Sequence, residues 1–300
     1  MQVVITGANS AVGQAIFRCV RKGGASPDTF IAAVRSSRAE EQLRSHIGDL
    51  GRVVRISYDD PATLDAAFCG ASSIVHLAGI LIEQSHTTYE DANVGSSRSV
   101  TDGAVRNKVE KLTLVSAIGA DENSKNRYYR TKGQAEALVR ESGLRYTILR
   151  VPILLGPATA GAAALKRQLE VGSARLIDGG LHQQQPLHVD DLARAAIVVA
   201  TQPSIARDTT LELVGPCSLS ERDLVERAAR SLGRMIRIRP IPKPLLSMAL
   251  AIRERVASRG FSRDALEVIT ADTRVAPQPA ARELGIELTG IDQMIHDSLC

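Results

Sequence analysis

QVVITGANSAVGQAIFRCVRKGG, residues 2–24, decides how this chain is read. It opens with a short apolar run, passes through small residues with glycines at Gly7 and Gly13, and ends with Ile16, Phe17 and Val20 at helical spacing. Strand, glycine turn and helix in that order are what a dinucleotide-binding crossover requires. Gly7 allows the tight turn and Gly13 allows close helix packing, while the free N–H groups and dipole of the helix start suit a pyrophosphate. Ser10 stands where a GxxGxxG pattern would put its middle glycine, so a Cβ and a hydroxyl meet the phosphate position there.

Outward from this stretch the alternation continues. The apolar run FIAAV (30–34) reads as a second strand, with Arg35 at its end and Arg38 just beyond. An acidic residue at that place would bind the ribose 2′-hydroxyl of NAD, whereas an arginine accommodates a 2′-phosphate. NADP is therefore the expected cofactor and NAD the alternative. A helix over 39–47, a strand at 53–57, a helix begun by Asp60-Pro61 and a buried strand in SSIVHLAGI follow. Ala78 and Gly79 would let backbone approach a nucleotide ribose, and His76 reads as a packed strand-end histidine. Residues 90–107 read as one helix of small residues.

Sustained βαβ alternation over residues 1–155 predicts an α/β fold with a doubly wound parallel (Rossmann) sheet. Residues 156–300 are expected to form mostly a smaller C-terminal substrate-binding lobe, interwoven with the last sheet strands. Within it we expect a helix over 158–172, a strand and turn at 175–180, and a strong helix capped by Asp190 or Asp191. A strand at 210–214, a helix over 218–233 and an alternating strand at 235–242 come next.

The chemistry is concentrated in SAIGADENSKNRYYRTK, residues 116–132. Tyr128 and Lys132 are four apart in a helical segment and so share a face. An ammonium beside a phenol stabilises its anion, which suits the pair to exchanging a proton with an alcohol or carbonyl. Ser116 follows the apolar run KLTLV, which puts its hydroxyl at the C-terminal end of a strand, where open α/β sheets bind ligands.

With 300 residues and 44% hydrophobic composition, the chain can bury a large core. The net charge of +4 comes from scattered basic residues, and only 3% of residues are aromatic, so no nucleic-acid partner is expected. Cys19, Cys69, Cys217 and Cys300 are far apart. No metal site or disulfide scaffold is suggested, and a reduced, cytoplasmic setting fits. The apolar stretch at 244–252 is about half the length that spans a bilayer. Peripheral membrane contact remains an alternative for the basic, apolar segment KPLLSMALAIRERVASR (243–259), although packing of its Leu and Ile stripe as lobe core is the main expectation.

TGANSAVG, HLAG, the YYRTK helix, RVPILLGP, QPLHVDDLARA and LELVGPCSLSERDLVERAARSLG occur in an order that resembles the short-chain dehydrogenase/reductase superfamily. The likeness is to its extended or atypical branch, which includes the NAD(P)H-binding accessory subunit of respiratory complex I. The resemblance implies that the sheet binds NAD(P) and the lobe covers the substrate. It implies Tyr128 as acid/base, Lys132 as ligand of the nicotinamide ribose that lowers the tyrosine pKa, and Ser116 as the group orienting the carbonyl. Ser10, Ala11 and Val12 would face the pyrophosphate, Gly7, Asn9 and Gly13 would complete the cofactor loop, and Pro152 and Ile153 would lie near the nicotinamide. Where the family often has an adenine-binding aspartate, this chain has Ser57, followed by Tyr58.

Hydride transfer between NADP(H) and an apolar carbonyl or secondary alcohol is the expected function. A non-catalytic NADPH-binding protein with an assembly or regulatory role is the alternative, and epimerase chemistry a third. Substrate contacts are expected from loops at 80–90, 155–175 and 180–186, with Ile80, Leu81 and Ile82 forming an apolar wall.

Overall fold

Strands β1 (Val3–Thr6) and β2 (Phe30–Val34) are buried along their whole length, the pattern of strands covered on both faces. The computed structural model describes residues 1–23, 29–77, 79–202, 204–256, 260–276 and 278–300. With β3 (Arg52–Arg55), β4 (Ser73–His76), β5 (Lys111–Ala117), β6 (Arg145–Val151) and a last strand at Thr209–Glu212, they form one seven-stranded sheet. Its spatial order is Thr209–Glu212, β6, β5, β4, β1, β2, β3, and every neighbouring pair is parallel. The order reverses between β1 and β4, which opens a crevice at their C-terminal ends.

Helices cover both faces. On one side α1 (Ala11–Gly23), α2 (Ser37–Ile47) and α7 (Val189–Thr201) pack Ile16, Leu43 and Leu192 onto Val3, Ile5 and Val75. On the other, α3 (Pro61–Phe68), α4 (Ser96–Arg106) and α5 (Arg127–Glu141) pack Phe68, Val100 and Val139 onto Val4, Ile74 and Leu112. A third core, with Leu165, Leu176, Leu224 and Met294, lies among α6 (Ala160–Val171), α8 (Glu221–Ser231), α12 (Ile291–Leu299) and the parallel pair Ser173–Ile177 and Arg237–Ile241. Between α8 and α12 the chain runs through α9 (Lys243–Val256), α10 (Arg263–Ile269) and α11 (Gln278–Glu283). After α11, Leu284 joins the first core. No helix among the described residues is long and apolar enough to cross a membrane.

Three local expectations are corrected. Residues 90–107 are not one regular helix: a π-helical turn at Glu90–Gly95 precedes α4, the kind of irregularity found at functional sites. His188, not Asp190 or Asp191, caps α7, its ring accepting from the Asp190 N–H at 3.2 Å. The two carboxylates reach across the fold instead, Asp190 to Arg18 (2.8 Å) and Asp191 to Thr289 (2.6 and 2.8 Å), and Asp191 also pairs with Arg194 of its own helix (2.6 Å). The stripe of α9 is not lobe core either. Leu250 is the buried residue of that helix, and Leu245, Met248, Ile252 and Val256 face outward.

Candidate active site

At the crevice Gly7 turns the chain with φ 73°, a left-handed conformation that favours glycine. Gly13 packs so tightly on the turn that a Cβ there would lie 2.2 Å from the Ala8 carbonyl oxygen. Ser10 accepts from the Gly13 N–H at 3.2 Å, so its hydroxyl satisfies one of the helix-start donors and keeps its own proton free to give away. Gly7, Asn9, Ser10, Arg35, Tyr58, Leu77, Gly79, Ile80 and Ala92 line a single groove across the ends of β1, β2 and β4. The Arg35 guanidinium lies 5.7 Å from the Tyr58 ring centroid, within cation–π range.

Several expected cofactor residues stand elsewhere. Val12 is buried and packs with Ala11 in the α1 core, so these two would reach a phosphate only through backbone. Ser57 does not line the groove; its hydroxyl accepts from the Asp59 N–H (3.2 Å) and shapes the turn after β3. Ala78 lies outside the described residues.

His76 is the inert strand-end residue the sequence suggests. Ser96 gives its proton to the Ala92 carbonyl (2.6 Å), so it accepts from Nε2 (3.4 Å), which leaves Nδ1 to accept from Thr6 (2.6 Å). Burial, with Lys132 nearby, lowers its pKa to about 3.

A second, apolar cleft adjoins the groove. It is lined by Leu81, Ala117, Ile118, Tyr128, Tyr129, Val151, Pro152, Ile153 and Gln184, and closed by residues 268–273 around the end of α10. Tyr128 thus shares a cleft with Pro152 and Ile153. Ser116 does not line it; its hydroxyl is buried in β5 with no hydrogen-bond partner among the described residues. Lys132 lines neither hollow but lies beside the groove. Its ammonium donates to the Val115 carbonyl (2.9 Å) and lies behind Gly79, where a Cβ would sit 3.4 Å from Nζ and 3.0 Å from Asn93 Oδ1. Burial lowers its pKa to about 8, while Glu136 pulls it back up. Lys132 does not lower the tyrosine here: burial, with Tyr129 and Tyr89 beside it, pushes the Tyr128 phenol well above its ordinary range. The Tyr89 and Tyr129 rings lie 5.9 and 5.7 Å away from it.

Tyr128 is held by residues that sequence reading passed over. Asn126 caps α5 by accepting from the Tyr128 and Tyr129 N–H groups (3.1 and 3.3 Å), and its amide donates to the Asp264 carbonyl and Glu267 on α10 (3.1 and 2.9 Å). Buried Glu83 receives both Arg127 nitrogens (2.9 and 3.2 Å) and the Tyr89 N–H (2.9 Å). Asn93 accepts from the Ile80 N–H (3.2 Å) and donates to Thr131 (3.0 Å), tying the groove loop to α5. The capping asparagine one residue before the helical run was the available signal; the others are long-range pairs with none. Of the expected substrate loops, Leu81 and Gln184 reach the cleft and 155–175 does not. Ile80 faces the nucleotide groove and Ile82 is exposed.

A nicotinamide dinucleotide fits these residues. The Gly13 approach leaves no room for a side chain at the turn, the first turn of α1 carries no acidic residue, and exposed Arg35 stands at the groove's edge. Gly7, Ser10 and the start of α1 would hold the pyrophosphate, Arg35 and Tyr58 the adenosine end, and Lys132 a ribose.

Comparison with known proteins agrees with this geometry. A family model described as NAD(P)H-binding matches residues 7–179. Among curated proteins, the chain is 24% identical to the Arabidopsis thaliana mitochondrial NADH dehydrogenase [ubiquinone] 1 alpha subcomplex subunit 9, over 91% of this chain and 70% of that one. It is 23% identical to a ceramide reductase from Caulobacter vibrioides, over 83% and 76%. Among solved structures, an NADPH-dependent quinone oxidoreductase from Escherichia coli complexed with NADPH superposes with a TM-score of 0.75 at 18% identity, over 98% of this chain and 99% of that one.

Proposed function

Because the chain belongs to the NAD(P)H-binding family, we propose that it is an NADP(H)-dependent oxidoreductase that reduces an apolar carbonyl compound. The carrying observation is Tyr128: a phenol in an apolar cleft, one helical turn from a buried lysine whose ammonium lies behind Gly79 of the dinucleotide groove. Bound reduced nicotinamide supplies a hydride. The chain's own part is to exclude water, hold the carbonyl and supply a proton. The Tyr128 phenol is protonated near neutral pH, the form a general acid needs, and a bound cofactor and substrate would have to offset the burial that raises its pKa. Gln184, whose amide nitrogen meets the His182 ring at 2.9 Å, contributes a polar group to the cleft wall. Arg35 favours the 2′-phosphate of NADP, and the four free cysteines fit a reducing, cytoplasmic setting.

Titration of nicotinamide fluorescence with NADPH and NADH, followed by a screen of apolar ketones and quinones for NADPH oxidation, tests this reading. Tyr128→Phe is expected to lower kcat/KM by roughly 10²–10⁴ while leaving NADPH affinity within about twofold; full activity in that variant would remove the proposed acid. The burial of Ser116, which does not itself line the cleft, supports a second reading, an NADPH-holding protein with an assembly role. Tight NADPH binding with no turnover on any acceptor would favour it.

A further inference from the structure

The outward face of α9 is unlike the rest of the surface. Leu245, Met248 and Ile252 are 58%, 59% and 59% exposed and Val256 is 90% exposed. Spacings of three, four and four residues put them in one stripe along the helix. The opposite face carries Leu250, which is buried. Residues 231–263 hold eight basic side chains and one acidic, a net +7 in a chain whose total is +4, so the remainder is net negative. The one acid, Glu254, is paired with Arg263 at 2.8 Å. Arg237 and Arg239 lie exposed on the strand that leads into the helix.

An apolar stripe in a basic segment, with Arg234, Arg237, Arg239 and Arg255 exposed, fits an anionic lipid bilayer: the leucine, isoleucine and methionine side chains enter the acyl boundary while cations meet the headgroups. A soluble partner with an apolar groove would account for the stripe but leave the charge imbalance unused. The helix is also placed to matter. α9 packs on α10, which packs on α5, and Val268 and Ile269 of α10 line the apolar cleft.

We infer that α9 with the basic strand before it docks on anionic membrane surfaces, and that the cleft takes an apolar carbonyl substrate dissolved in that membrane. The second half rests on the reductase reading; the first does not.

The test uses the full chain and flotation with phosphatidylcholine vesicles, with and without phosphatidylglycerol. Wild type is expected to float with the mixed vesicles, and Leu245→Ser/Met248→Ser/Ile252→Ser to bind them at least ~10-fold more weakly. High salt and Arg237→Glu/Arg239→Glu should each weaken binding by a similar factor. No binding of wild type to the mixed vesicles would overturn the proposal. So would binding unchanged in the triple serine variant, or a wild-type dimer by sedimentation that this variant dissociates, since a second copy would then cover the stripe. NADPH affinity is measured on the same samples, so a failed cofactor site is distinguished from a failed docking face. For the substrate, the serine variant should lose rate on a vesicle-dissolved quinone and keep it on the same quinone in detergent; equal loss in both would overturn lipid access.

Discussion

Burial moves the Lys132 ammonium down to about 8, so below that pH the fold holds a charge that an unfolded chain would hold more easily. The sign follows from proton counts. Between about 8 and 10.5 the unfolded chain keeps the proton and the folded one has released it, so Lys132 makes stability rise with pH across that window. Below it the cost is on the order of 3 kcal/mol, against about 1 kcal/mol for the bond to the Val115 carbonyl. Lys132→Met is therefore expected to leave Tm unchanged or raise it by a few degrees while weakening NADPH binding at least ~10-fold; calorimetry and fluorescence titration measure the two effects. A fall in Tm with unchanged affinity would make Lys132 a structural residue. Arg35→Asp acts on specificity: NADPH affinity should fall ~10- to 100-fold more than NADH affinity, as loss of a charge-assisted bond predicts. An unchanged ratio would remove Arg35 from the 2′-phosphate site.

At the scale of elements, the helix that carries Tyr128 is tied at its start to α10. Asn126 caps α5 with its oxygen and holds α10 with its nitrogen, so one side chain joins the helix of Tyr128 to a wall of the cleft. Asn126→Ala should cost about 1 kcal/mol for the cap alone. It should also raise KM and lower kcat together, because it loosens both the start of α5, which carries Tyr128, and α10, which lines the cleft. Thermal unfolding and steady-state kinetics check this; an effect confined to Tm would reduce Asn126 to a cap. The π-turn at Glu90–Gly95 serves a similar purpose, setting buried Asn93 against both Ile80 and Thr131.

For the whole molecule, acid stability is set in part by His76 at the centre of the sheet. Its folded pKa is about 3, below the ordinary value of about 6.5. The unfolded chain therefore takes up a proton that the folded one refuses, and stability falls as pH drops from about 6.5 towards 3, by up to roughly 4–5 kcal/mol. His76→Gln, which keeps an amide for Thr6 or Ser96, is expected to lower stability at pH 7 and to flatten this acid dependence. Urea denaturation at several pH values measures both, and an equally steep slope in the variant would assign the acid loss to other groups.

What could be read from the chain alone was whatever has a short period. The glycine turn from Gly7 to Gly13, the alternation of apolar runs with helices, and the four-residue spacing of Tyr128 and Lys132 follow from local geometry, and they led to the sheet, the crevice and the cofactor class. The closure of the cleft by residues 268–273, the Glu83–Arg127 pair, the His188 cap and the outward face of α9 could not be read in this way. Each depends on which residues distant in sequence meet, or fail to meet: Asn126 with Glu267, Asp191 with Thr289, or α9 with no covering element among the described residues. An apolar stripe looks the same in sequence whether packing hides it or leaves it facing outward, and only the tertiary structure decides which.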